Sequence, residues 1–277
     1  MGKENTTTPS MMLAVIGCGN IGSAIARGLV GSGQYQADQI VLTRRQTNQI
    51  DDLAAQGFIV QTDNRDAVKK ARLVIIAVQP QQLVEVLMEI APEIQDDHVI
   101  ISTVSGVSFE EIASHLGRDV PVVRAMPNTA VEIGESITCL SAPLPHRDAF
   151  AQADSVFSSV GQTLEITEEL MIPATALGAC GIAFFLRCIR AASQGGIEIG
   201  FHPEEALFIA AQTARGAASL VMKTGSHPEA AIDMVTTPRG ATISGLNHME
   251  HEGLSSALIK GIVTSAQKVS QLFQREK

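Results

Sequence analysis

The chain has 277 residues, 45% hydrophobic and 18% charged, with a formal net charge of −9. That length and apolar content allow two domains of ordinary size. An acidic chain whose lysines and arginines form no block does not suit nucleic-acid phosphates or anionic lipid, so the expected partners are small molecules, with no nucleic acid and no membrane.

The opening M-G-K-E-N-T-T-T-P-S is polar and lacks the apolar centre of a secretory signal, so residues 1–10 are expected to be a disordered lead-in and the protein cytoplasmic. The first strand reads MMLAVIG from Met11. Gly17-Cys18-Gly19-Asn20-Ile21-Gly22 follows it and opens a helix to about Leu29. In that context the glycines permit a tight turn and close backbone approach, and the helix amides face a pyrophosphate. Dinucleotide binding is predicted.

The second strand, QIVLT from Gln39, ends in Thr43-Arg44-Arg45, and no carboxylate occurs between Ile40 and Ile50 to hold ribose hydroxyls. A hydroxyl and two guanidiniums suit a 2′-phosphate, so NADP(H) is preferred, with NAD(H) admitted. LVIIAV from Leu73 and HVIIST from His98 are further strands, nearly continuous in aliphatic residues as in a sheet covered on both faces. Strands alternate with helical patterns from Met11 to Ile166, which predicts a Rossmann-type α/β dinucleotide-binding domain over residues 1–168.

After Glu168 the pattern is helical, with ends marked by Gly195-Gly196, Pro203, Gly225, Pro228 and Gly253, which predicts an all-α domain over residues 169–277. Its first helix, roughly Ala174 to Gln194, is apolar nearly all round. The apolar run Met171 to Ile189 contains Pro173 and Arg187, so it reads as a buried or interface helix rather than a membrane span, and a second subunit is expected to cover it. Asp233 to Leu246 reads D-M-V-T-T-P-R-G-A-T-I-S-G-L. Thr237 as cap and Pro238 as first helical residue leave the amides of Arg239, Gly240, Ala241 and Thr242 for a small carboxylate.

The four cysteines, Cys18, Cys139, Cys180 and Cys188, have no C-x-x-C pair or framework spacing and read as reduced thiols. Cys180 is better suited to helix contact than to nucleophilic chemistry. His248 and His251 with Glu250 and Glu252 read as a solvated helix face, and no metal is expected.

Taken together, A-V-Q-P-Q (Ala77 to Gln81), R-A-M-P-N-T (Arg124 to Thr129), A-A-Q-T-x-x-G-A-A (Ala210 to Ala218), H-P-E at His227 and T-I-S-G-L-x-x-M-E from Thr242 resemble the pyrroline-5-carboxylate reductase family. The resemblance runs from Met12 to about Leu272. It implies reduction of a five-membered cyclic imine carboxylate to proline with NADPH or NADH, in the pathway of proline biosynthesis. It further implies interlocked homodimers, sometimes gathered into rings.

By matching positions, Asn64 lies near the adenosine end of the cofactor, and Ala77, Val78, Gln79, Pro80, Ser105 and Gly106 line its ribose and nicotinamide. Met126, Pro127 and Asn128 border the reactive ring. Thr242 contacts the substrate nitrogen as the catalytic hydroxyl, Ala241 offers an amide to the carboxylate, and Glu168 is an acidic residue on the approach to the second domain.

Departures concentrate in the substrate half. Gly178-Ala179-Cys180-Gly181-Ile182-Ala183 stands where S-G-S-G-P-A is typical, and Gln79 stands for a common lysine. Arg190 replaces an acid, Gln194 an aspartate, and Arg239 the first glycine of P-G-G. A paralogue acting on another cyclic imine or ketimine acid therefore stays open beside the ordinary activity, as does a non-catalytic nucleotide sensor. A β-hydroxyacid dehydrogenase is disfavoured, because no lysine lies between Lys70 and Lys223 to take the alcohol proton.

Overall fold

The computed structural model describes residues 12–274; the polar lead-in lies outside the described residues. Short runs rich in Val, Ile and Leu form most of the strands, since such side chains suit a pleated, covered surface. The strands are β1 (Leu13–Ile16), β2 (Ile40–Thr43), β3 (Ile59–Gln61), β4 (Leu73–Ile76), β5 (Val99–Ser102), β6 (Val122–Met126), β7 (Ser136–Ser141) and β8 (Gly161–Glu165). They form one eight-stranded sheet in the order β3-β2-β1-β4-β5-β6-β7-β8. The neighbours from β3 to β6 are parallel, β7 runs antiparallel to β6, and β8 is parallel to β7. Sequence order reverses between β1 and β4, the place where open α/β sheets bind ligands beyond the strands' carboxyl ends.

Helices α1 (Asn20–Gly31), α2 (Asp51–Ala55), α3 (Asn64–Lys70), α4 (Pro80–Ile90), α5 (Phe109–Leu116) and α6 (Arg147–Ser158) accompany the sheet. Strand alternation sends Leu13 and Val15 into one core with Ile25, Leu29 and Phe157. Ala14 and Ile16 enter another with Ala67, Leu83 and Leu87. Each fully buried Leu, Ile or Phe contributes about 1.5–3 kcal/mol, so two such layers account for a stable α/β body. His98, fully buried, joins them: its Nδ1 accepts the Gln95 amide at 2.9 Å and its Nε2 lies 3.2 Å from the Val68 carbonyl.

Then come α7 (Met171–Ala174), α8 (Gly181–Glu198), α9 (Pro203–Thr224), α10 (Pro228–Met234), α11 (Ala241–His251) and α12 (Leu254–Gln274). Among the described residues no strand follows Glu165, and the α/β-then-helical order expected from sequence holds. Two details differ. The helix expected at Ala174 to Gln194 is interrupted by a π-helical turn at Thr175–Ala179. Gly195-Gly196 lies inside α8 rather than at its end, and the left-handed Gly200 (φ 114°) follows instead. The reason is close packing: a Cβ on Gly196 would lie 3.1 Å from that of Ala206 in α9.

The chain divides into two compact units, one running to Ala179 and including the residues from Ala266 on, the other Cys180–Ser265. The second unit has little core of its own. Gly181 and Ser193 are the buried residues of α8, Ala206 that of α9, while Phe185, Phe208 and Met222 are 59%, 72% and 74% exposed. The stretch Glu168–Glu198 is long and apolar enough to cross a membrane on length and composition alone, with 17% of its most apolar window buried.

Candidate functional site

A cavity of about 440 Å³ opens at the carboxyl ends of β1, β2 and β4, lined by Gly17, Gly19, Thr43, Arg44, Arg45, Asn64, Ala77, Val78 and Gln79. The structure thus brings together residues drawn from four separate stretches of sequence. Gly17 has φ 90°, and a Cβ there would lie 2.5 Å from Val78 Cγ1 and 3.0 Å from the Ala77 carbonyl, so only glycine fits between the loop and β4. Gly19 caps α1 and faces open space, whereas a Cβ on Gly22 would meet the Gly17 carbonyl at 2.7 Å. The first and third glycines therefore shape the turn, and the second leaves room for a ligand at the helix N-terminus. Asn20 and Ile21 belong to the first turn of α1.

Thr43 is 1% exposed and its hydroxyl accepts the Gly17 amide at 3.3 Å, while its carbonyl accepts Cys18 N–H at 2.8 Å. Arg44 donates Nη1 to the Cys18 carbonyl at 2.7 Å and Nη2 to Gln49. It is a brace between the glycine loop and the 3₁₀ turn at Thr47–Ile50. Arg45 is exposed, lines the same cavity and has no hydrogen bond or ion pair among the described residues. Burial pushes the Cys18 thiol up, outweighing its contact with Ser23 and the charges of Arg44 and Arg27, so it is an inert wall rather than a thiolate. The sequence reading passed over Cys18, Gln46, Gln49, Thr62 and Gln82, which also line the cavity. Their only signal was nearness to the motif residues.

Of the other expected nucleotide residues, Asn64 belongs to this lining, whereas Pro80, Ser105, Gly106, Met126, Pro127 and Asn128 lie outside it. Pro80 starts α4, and Asn64 starts α3 with Nδ2 donating to Glu89 at 2.8 Å. Gly106 has φ 78°, and the neighbouring Ser105 hydroxyl points at Met126 Sδ, 3.8 Å away. Met126 ends β6 and packs with Cys139 and Met171. Asn128 is 8% exposed: it caps the turn Thr129–Ile133 by accepting Ala130 N–H and donates Nδ2 to the Gly178 carbonyl at 3.3 Å. Pro127 joins these two. Glu168 Oε1 accepts the Phe109 amide at 2.7 Å and Arg124 Nη1 at 3.1 Å.

In the helical unit the turn after α10 departs from expectation. α11 begins at Ala241 with Gly240 as cap, not at Pro238 with Thr237 as cap. The reason is Arg239, at φ 61° the only non-glycine residue with positive φ among those described. With Pro238 before it, this closes a tight turn in which Gly240 N–H reaches the Thr237 carbonyl at 2.9 Å. Gly240's amide is thereby used, and the free first-turn amides begin at Ala241 and Thr242. Thr242 is exposed, with no partner for its hydroxyl among the described residues. Beside the turn lies a cavity of about 910 Å³, lined by Thr236, Thr237, Pro238 and Arg239 together with Glu229, Asp233 and Glu250.

Gly178 and Ala179 lie in or at the end of the π-helical turn, and Cys180 and Ile182 at the start of α8, where burial pushes the Cys180 thiol up. Arg190 and Gln194 are exposed on α8.

Comparison with known proteins agrees with this division of labour. Residues 12–106 match a family model described as NADP oxidoreductase coenzyme F420-dependent, and residues 168–272 match pyrroline-5-carboxylate reductase dimerisation. The chain is 51% identical over 276 residues to pyrroline-5-carboxylate reductase 1 of Dictyostelium discoideum, half of whose length it spans. It is 48% identical to reductase 2 of the same organism, covering 94% of this chain and 92% of that one. The solved pyrroline-5-carboxylate reductase of Coxiella burnetii superposes with a TM-score of 0.83 at 27% identity, over 95% of this chain and 98% of the other. Identity of 48% over 94% of this chain and 92% of that relative, with the nucleotide cavity and the helical unit in their expected order, shows that the chain belongs to the pyrroline-5-carboxylate reductase family.

Proposed function

We propose that the protein is an oxidoreductase of the CH–NH group that reduces 1-pyrroline-5-carboxylate to L-proline with NADPH. The observation that carries this reading is the cavity at the glycine loop, walled by Arg44 and Arg45 where an NAD site would show a carboxylate, in a chain of this family. The residues fit the cofactor: the loop between Gly17 and Gly22 takes the pyrophosphate, Arg45 the 2′-phosphate, and Asn64 the adenosine end. Ala77 to Pro80, Ser105-Gly106 and Met126 to Asn128 border the ribose and nicotinamide. When bound, reduced nicotinamide supplies a hydride.

The substrate carboxylate meets the amides of Ala241 and Thr242, favoured by the positive end of α11. Thr237, Arg239 and Gly240 hold the turn in place. Thr242 Oγ1 directs the ring nitrogen, which enters protonated from solution, so no strong base is required. Glu168 stands on the approach, and the functional division falls there. Catalysis consists of positioning and exclusion of water.

A second copy covers the apolar faces of α8 and α9 in a dimer, with a ring of dimers as the larger assembly. The free thiols of Cys18, Cys139, Cys180 and Cys188 support a reducing, cytoplasmic location. One observation favours a second reading, another cyclic imine acid as substrate: Arg239 holds a left-handed turn position that glycine would occupy without strain.

The test is NADPH oxidation by the purified protein with pyrroline-5-carboxylate, six-membered imine acids and buffer. Turnover of the five-membered ring is expected; faster turnover of a six-membered ring selects the second reading, and none on any substrate leaves a nucleotide sensor.

A further inference from the structure

We infer that Arg124 and Glu168 are positioning residues for hydride transfer, a pair that sets the spacing between the Ser105-Gly106 loop and the end of β6. The inference rests on the assignment of those two segments to the nicotinamide. Glu168 Oε1 accepts the first amide of α5, Phe109 N–H, across 59 residues, and Arg124 Nη1 across 44. The loop that opens at Ser105 runs directly into Phe109, and Arg124 stands two residues before Met126. A single carboxylate oxygen therefore fastens both borders of the proposed nicotinamide site, and the Ser105 hydroxyl on Met126 Sδ makes a second link between them.

Stability alone does not explain the arrangement. The Arg124 side chain is 5% exposed, Glu168 supplies its ion pair, and its Nε and Nη2 have no hydrogen-bond partner among the described residues. Burial lowers the guanidinium's proton affinity more than Glu168 restores it. A buried guanidinium with two orphaned donors, paired to a carboxylate that is 31% exposed, is a poor way to hold two segments together, since apolar side chains of similar size do so at little or no loss. Its distinct property is directional: the planar guanidinium and the carboxylate hold strand and loop at fixed distance and angle. Glu168 acts through the loop it fastens, and donates no proton.

Glu168→Gln keeps an oxygen for the Phe109 amide but removes the charge facing Arg124. The double variant R124M/E168M replaces the whole pair by apolar chains and guards against loss of fold. Measured well below Tm, both are expected to lower kcat about tenfold or more, as small misplacement of reacting atoms does. The primary isotope effect with 4-deuterated NADPH rises, KM for the imine acid and Kd for NADPH stay within about twofold, and the shape of the pH–rate profile is unchanged.

Wild-type kcat and isotope effect in the folded double variant overturn the inference, and so does loss of one limb of the profile in E168Q, which would make Glu168 a proton donor. Fluorescence of bound NADPH is a readout independent of turnover. Should the wild type reduce no imine acid, the functional reading falls, and the emission alone decides: altered at unchanged Kd supports the pair, identical overturns it.

Discussion

Thr242 stands exposed in the first turn of α11 with its hydroxyl unengaged among the described residues, which is what a group reserved for substrate requires. Thr242→Ala is expected to lower kcat/KM for the imine acid about 10- to 100-fold, the worth of one hydrogen bond to a charged group, with Kd for NADPH unchanged. Equal activity would remove it from the mechanism. The arginines of the second strand separate by partner. Arg44 braces the Cys18 carbonyl and Gln49, whereas Arg45 is exposed and without a partner among the described residues. Arg45→Ala should weaken NADPH about tenfold or more and leave NADH nearly unchanged, while Arg44→Ala weakens both, as fluorescence titration will show. The sequence offered these two residues as equals; only the fold shows that Arg44 is already engaged by the Cys18 carbonyl and Gln49.

At the scale of elements, the β1 glycine loop and α1 were legible because their turn needs glycine and their strand is purely aliphatic. The start of α11 was not. Proline usually takes a first helical position, but the left-handed Arg239 spends Pro238 on a turn and delays the helix to Ala241. Contacts between distant elements were equally hidden. A Cβ on Gly28 of α1 would lie 2.1 Å from the Val131 carbonyl in the turn Thr129–Ile133, so Gly28→Ala is expected to cost about 1–3 kcal/mol, read as a lower denaturation midpoint. An unchanged midpoint would show that the turn yields.

The Arg147 guanidinium holds the Glu165 carboxyl below the usual carboxylate range, and so fastens α6 to β8. Because the folded-state value is depressed, this contribution is present near neutrality and lost as pH falls through the folded-state value. Arg147→Met should therefore flatten the acid limb of the stability curve.

For the whole molecule, the imbalance between the two units decides behaviour. The α/β unit buries two aliphatic layers of its own, while the helical unit leaves Phe185, Phe208 and Met222 exposed. An assembly that shares its core between copies gains stability by mass action. Tm is expected to rise with protein concentration, and Phe208→Glu to lower the sedimenting mass; a concentration-independent Tm would sink the shared core.

By itself the sequence determined the α/β-then-helical order, the glycine loop and its ligand class, and the family, because each is written in local periodicity or in short motifs whose geometry is fixed by neighbouring residues. Tertiary structure alone decided which arginine is already engaged, that Glu168 answers Arg124 and the Phe109 amide, and where α11 starts. Those outcomes depend on contacts between residues far apart in sequence and on a left-handed backbone angle at a non-glycine residue, neither of which leaves a mark in the run of side chains.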